Sequence, residues 1–410
     1  MGHRHPQVLR ISSEVLKNNA LGDPHERDVW VYTPPGHDPK RPLPALLGLA
    51  GFTGSGAMLF NTDPLGDSLG ARIDRLIEKG DCPPVMIVAP DCFTRVGGNQ
   101  YIDSSATGPY ATHLVSELLP FIERHFAVSR WGVFGKSSGG YGAVVLAMLY
   151  PDRFEAFASH SGDANFELCY LPDALEALDQ FRAAGGPAKW LDDYWQSLQR
   201  RRHAQGKALN FLAMAAHYSP NPLSAQMGID FPFHLETGQF LPQVWARWQA
   251  WDPVRMAPSR AEALRRTRCA FLDCGTKDEF GLHWGARALA AELRKAGVEL
   301  VHEDALGGLF GVDVAVVAVP SVGELLHQGG YRRGVAADVE GRHPQARPHA
   351  VARPPREAPP RRGSCDAQRR WERGETMRCE RTVKLLTQTK GQHAGKRKTG
   401  AEDAPNNTHT

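Results

Sequence analysis

Residues 131–142 read Trp-Gly-Val-Phe-Gly-Lys-Ser-Ser-Gly-Gly-Tyr-Gly, with Gly135, Ser137 and Gly139 in a G-x-S-x-G pattern. An apolar run enters this stretch and a small-residue run, GGYGAVVLAML, leaves it. That order predicts a strand, a tight turn and a helix. A serine on such a turn is held in a strained backbone conformation with its hydroxyl exposed, and side chains two residues to either side would clash. The N–H of the next residue, Ser138, then lies at the positive end of the following helix, where a developing oxyanion is stabilised. A phosphate-binding loop also ends in Gly-Lys-Ser, but it needs a glycine five residues before Gly135. Arg130 stands there, so nucleotide binding is not expected.

The surrounding sequence alternates. Strand patterns fall at 27–33, 43–50, 85–90, 131–134, 154–159, 269–273 and 298–302. Helical patterns lie between them at 66–80, 111–126, 140–150 and 284–297, with Pro120 expected to bend or divide the second. This is the signature of a doubly wound, mostly parallel sheet covered by helices. Residues 164–262 break the rhythm. They are helical in pattern and contain Trp190, Trp195, Trp245, Trp248 and Trp251, which predicts a helical cap inserted between two strands. These aromatics are expected to pack the cap's own core, with an apolar acyl or aryl pocket as the alternative.

Two further segments suit the serine. The loop Leu49-Ala50-Gly51-Phe52-Thr53-Gly54-Ser55-Gly56 follows a buried strand, and its glycines let the main chain approach a substrate. The N–H of Phe52 is the candidate second oxyanion donor. Asp278, in the loop after the strand at 269–273, sits where a carboxylate would orient a histidine in the order Ser…Asp…His. Asp273, at the strand end, is the weaker alternative.

The chain resembles the esterase D-like family of α/β-hydrolases, which includes enterochelin-esterase-like and S-formylglutathione-hydrolase-like enzymes. The resemblance rests on LLGLAGFTGSG, GGNQYIDSSATGPYATHLVSELLPFIERHF, GKSSGGYGA, SHSGDANFELCYLPD and GTKDEFGL, and covers roughly 25–312. It implies an α/β-hydrolase domain at 1–330 that cleaves carboxylic esters or thioesters, with Ser137 as nucleophile, Asp278 as acid and Phe52 with Ser138 as oxyanion hole. It implies a small-molecule ester substrate, no organic cofactor and no metal.

At one place the chain departs from the family. Where the family has G-G-H, with the histidine as general base, this sequence has Leu306-Gly307-Gly308-Leu309. An aliphatic side chain cannot take the serine proton. His160, His283 and His302 are the possible substitute bases. Two alternatives therefore accompany the hydrolase: a catalytically impaired protein that only binds ligand through the same pocket, and an acyltransferase using the same residues.

Charge divides the chain in the same region. Residues 331–410 carry 18 Lys+Arg against 9 Asp+Glu, whereas the first 330 carry 30 against 36. The tail has no sustained apolar period and is rich in proline and arginine, so it is expected to be disordered and solvated. Without a fold or interleaved aromatics behind its charges, no nucleic-acid partner is expected. A degraded gene copy or an altered reading frame would account for the tail, which begins shortly after Leu309. No run of about 18 apolar residues occurs, so no membrane-spanning helix is expected. The N-terminus lacks the apolar segment of a secretory signal, and seven scattered cysteines form no disulfide framework. A cytoplasmic protein with reduced thiols is the expectation.

Overall fold

Near-continuous apolar runs can be buried on both faces only in the middle of a covered sheet. The computed structural model, which describes residues 6–61, 67–198 and 203–305, places them there. Leu309 and the tail at 331–410 lie outside the described residues. The chain divides after Pro354 into two units, and every described residue belongs to the first.

The strands are β1 (Gln7–Ser12), β2 (Glu26–Tyr32), β3 (Leu43–Leu49), β4 (Met86–Pro90), β5 (Asp103–Ser104), β6 (Gly108–Pro109), β7 (Val128–Lys136), β8 (Phe154–His160), β9 (Cys269–Gly275) and β10 (Leu300–Ala305). Among the described residues, eight of them form one sheet in the order β1-β2-β4-β3-β7-β8-β9-β10, and β5 and β6 form a small separate hairpin. Strands β1 and β2 pair antiparallel, as do β2 and β4, and the remaining neighbours are parallel. With its helices this is the α/β-hydrolase fold. Every residue of β3, β4 and β9 is buried, as their composition requires.

The structure departs from the sequence reading at several edges. β1 was not expected: only Ile11 and no other residue of this edge strand is buried, so it carries almost no periodic signal. β7 runs on to Lys136 instead of ending at Phe134, and the next helix, Ser138–Leu149, starts at once, so Ser137 alone makes the turn. β10 occupies Leu300–Ala305, displaced from 298–302. Pro120 stands just after a change of helix type: a π-helical stretch, His113–Leu118, joins Tyr110–Thr112 to Leu119–His125 with helical backbone at each junction. A proline lacks the N–H that would close a regular helical bond, and the change of type falls directly before it.

Between β8 and β9 the chain is helical, chiefly in Leu171–Ala184, Pro187–Gln196, His203–Tyr218 and Pro242–Gln249. Trp248 is fully buried here, with ring centroids 5.4 Å from Phe211, 5.7 Å from Tyr218 and 5.5 Å from Trp245. Its indole N–H donates to Ser219 Oγ at 2.8 Å, which satisfies the one polar atom of the side chain. The helix Ser138–Leu149 is apolar on all sides and buried from Ser138 to Met148, as such a helix must be. Its Tyr141 reaches the insertion, 6.0 Å from Phe166 and 5.8 Å from Tyr218, and donates its hydroxyl to the Trp251 carbonyl at 3.2 Å. Among the described residues no helix is long and apolar enough to cross a membrane.

Candidate active site

Ser137 has φ 56° and ψ −124°, a left-handed conformation that costs a non-glycine residue about 1–3 kcal/mol. Two hydrogen bonds of 2.9 Å oppose that cost: the Ser137 N–H donates to the His160 carbonyl, and its own carbonyl accepts from the Tyr141 N–H. The two motif glycines are required by close backbone contact. A Cβ on Gly139 would overlap the Leu49 carbonyl and lie 2.8 Å from the Ala50 oxygen. A Cβ on Gly135 would overlap the backbone of Gly139 and lie 2.7 Å from the Leu49 oxygen. The G-x-S-x-G pattern thus lets the end of β3 pass against the turn.

That close passage brings the Phe52 loop to the serine. A Cβ on Gly51 would stand 3.1 Å from the Lys136 oxygen and 3.5 Å from Ser137 Cβ. The N–H groups of Phe52 and Ser138 donate to no backbone carbonyl among the described residues. Ser138 is the first residue of a helix, where such donors are left open, and Phe52 lies in the turn after β3; both are free to hold an anion.

Asp278 follows β9 and is buried. Its Oδ1 accepts from the N–H groups of Phe280 at 2.9 Å and Leu282 at 3.2 Å. Oδ2 is buried and has no partner among the described residues. Burial pushes this carboxyl above the ordinary carboxylate value, against the pull of the two amides. A carboxylate fixed on one oxygen and vacant on the other suits an imidazole N–H donor.

None of the three candidate histidines pairs with Asp278. His160 is the last residue of β8. It is fully buried, and its Nδ1 bonds Asp273 Oδ1 at 2.8 Å. Asp273 is thereby committed to His160. His302 pairs with Leu272 in the sheet register, and burial lowers its affinity for a proton. His283 is the second residue of the helix Leu282–Lys295, and its Nδ1 has no hydrogen-bond partner among the described residues. Among those residues no group of three or more His, Cys, Asp and Glu side chains could hold a metal ion.

Residues 20–305 match the family model described as "Putative esterase". The chain belongs to this esterase family. It is a hydrolase of the esterase type. Similar solved structures include an S-formylglutathione hydrolase from Agrobacterium tumefaciens, 17% identical with a TM-score of 0.42, the match covering 80% of this chain and 94% of that one. A ferulic acid esterase from Anaeromyces mucronatus, solved with ferulic acid, is 13% identical with a TM-score of 0.43, covering 79% of this chain and 91% of that one. The enterobactin esterase of Shigella flexneri is 18% identical with a TM-score of 0.41, covering 80% of this chain and 58% of that one. A comparison with curated proteins gives no match.

The esterase also contains a buried polar cluster behind Ser138 that sequence reasoning missed. Gln100 Nε2 donates to Ser138 Oγ at 2.7 Å. Oδ2 of the buried Asp163 accepts from Tyr170 OH at 2.9 Å, Ser138 Oγ at 3.3 Å and Gln100 Nε2 at 3.5 Å. Tyr218 OH donates to Gln100 Oε1 at 3.1 Å, and the Gln100 N–H donates to His217 Nε2 at 3.4 Å. The other ring nitrogen of His217 donates to the Ala213 carbonyl at 2.8 Å, and burial lowers its pKa to about 4, so it is neutral. Among the described residues no salt bridge joins a cation to Asp163. Burial therefore pushes its carboxyl up to about 6, while the Tyr170, Ser138 and Gln100 hydrogen bonds pull it down.

This shift has a sign that can be measured. A carboxyl raised from 3.8 to about 6 on folding binds more protons in the folded state between those values. Its contribution to stability is full below the unfolded value and is lost as pH rises through about 6. Asp163→Asn lacks that slope. Going from pH 7 to pH 4, the stability of the native protein should rise relative to this variant by on the order of 3 kcal/mol, measured by urea unfolding. A difference independent of pH would refute the raised carboxyl.

Proposed function

We propose that the protein is a serine hydrolase that cleaves a carboxylic ester or thioester through an acyl-enzyme on Ser137. Ser137 is the nucleophile on the tight turn, the amides of Phe52 and Ser138 bind the oxyanion, and Asp278 is the acid, with no histidine on it among the described residues. The observation that carries this reading is the strained Ser137, at the start of a helix and against Gly51, with two backbone donors free beside it. The Ser137 oxygen forms a bond to the carbonyl carbon as its proton passes to water, and the tetrahedral oxyanion collapses with cleavage of the ester or thioester bond, the leaving alkoxide or thiolate taking a proton back from water. Water then repeats the sequence on the acyl-enzyme. The substrate is a small-molecule ester, and the protein works in the cytoplasm.

With Leu309 at the base position the serine proton must pass to water, so turnover is slow. A fluorophosphonate probe tests the nucleophile directly. Prolonged incubation of the native protein should leave a single adduct, mapped by mass spectrometry to Ser137 and absent from Ser137→Ala. No adduct at Ser137 would remove serine chemistry from this chain. The outcome would favour the second reading, a protein that binds ester-like ligands without turning them over, to which Leu309 and an Asp278 Oδ2 without a partner among the described residues also point.

A further inference from the structure

The segment 97–101 touches both loops that carry the proposed oxyanion donors. Gly97 has φ +108°, and a Cβ there would lie 2.6 Å from Phe52 Cζ. A Cβ on Gly98 would overlap the Phe52 carbonyl and lie 2.5 Å from its Cα. The backbone of this segment therefore lies directly on Phe52. Two residues on, Gln100 holds Ser138 Oγ, and Tyr101, itself left-handed at φ 58°, donates its hydroxyl to the Ala50 carbonyl at 2.6 Å. One short stretch thus contacts Ala50, Phe52 and Ser138. Its anchor is Asp163, whose three hydrogen bonds all end on Oδ2, while Oδ1 accepts none among the described residues.

A buried carboxylate without a cation is a costly way to fill space, and apolar packing of the same volume would serve stability better. Its geometric product is different. Oxyanion donors work only when they stand about 2.7–3.1 Å from the charge that develops, and a displacement of about 1 Å can cost two orders of magnitude. We propose that Gln100 and Asp163 are positioning residues, which hold the Ser138 amide and, through the segment 97–101, the Phe52 amide at the spacing a tetrahedral oxyanion requires. This inference rests on the assignment of those two amides as the oxyanion hole.

Phenylboronic acid tests it without relying on turnover. The Ser137 oxygen adds to boron, the hydroxyl proton passes to water, and the resulting tetrahedral boronate places an oxygen between the two amides. Benzamide is the planar control, with the same ring and no bond to the serine. In Gln100→Ala and Asp163→Leu, affinity for phenylboronic acid should fall about tenfold or more, while affinity for benzamide stays within about twofold. Asp163→Asn can keep an acceptor oxygen at the Oδ2 position and should remain within about threefold of the native protein for both ligands.

A parallel loss of both ligands would mean that the cluster only packs, and an unchanged boronate affinity would mean that it positions nothing. Either result overturns the proposal, as does an Asp163→Asn variant as weak as Asp163→Leu. Ser137→Ala separates the underlying reading: boronate binding that survives this change, or none in the native protein, rejects the oxyanion hole itself. Should Asp163→Leu fail to fold, Gln100→Ala and Asp163→Asn still decide the question.

Discussion

Leu309→His is expected to raise hydrolysis of 4-nitrophenyl acetate by about 10³-fold or more. Removing a triad member from a serine hydrolase costs roughly 10⁶ in turnover, and the oxyanion hole with binding retains about 10³–10⁴ over water. Asp278 lies three residues past the end of β9, and its buried Oδ2 has no partner among the described residues, so an imidazole N–H has an acceptor to meet. Stopped-flow or steady-state rates on the two proteins decide the matter. An unchanged rate would show that position 309 does not hold the base. A native rate already near that of the variant would show that another group does.

Gly139→Ala should destabilise the protein by about 3 kcal/mol or more, at or above the upper end of ordinary overpacking. The added Cβ meets the backbone of Leu49 and Ala50, which cannot rotate away as a side chain would. β3 would have to separate from the turn, and Phe52 would move with it. Gly206→Ala provides the contrast. Gly206 stands in the helix His203–Tyr218 with nothing within 4 Å of its added Cβ, so alanine should stabilise by up to about 1 kcal/mol. Denaturant unfolding of both variants checks the pair. A Gly139→Ala protein as stable as the native one would contradict the steric account of the motif.

The motif glycines, Gly135 and Gly139, show what the amino-acid sequence can disclose. The requirement at Gly135, Ser137 and Gly139 is local, because any chain that turns from a buried strand into a helix within one residue meets the same clashes, and so the spacing is readable. The buried strands were legible for a similar reason, since seven successive apolar residues, as in β3, have few other places to go. The cluster behind Ser138 was not legible. Gln100, Ser138 and Asp163 are separated by 38 and 25 residues, and each alone is an ordinary polar residue whose meaning comes from the fold. The setting of His160 was hidden for the same reason. Its partner Asp273 is 113 residues away, and only the pairing of β8 with β9 brings them together. β1 escaped notice because an edge strand with one buried residue has little pattern to read.

Tyr141 sets a limit on how this architecture can be taken apart. It belongs to the helix that begins at Ser138, yet its ring completes the aromatic cluster of the segment between β8 and β9 and its hydroxyl is bound at Trp251. The segment is therefore not a cassette. Exchanging it for that of another esterase would strip a fully buried tyrosine of its neighbours four residues from the serine, and a chimera would have to carry position 141 across with the graft. The packing of this segment and that of the helix behind the serine turn are inherited together in this chain.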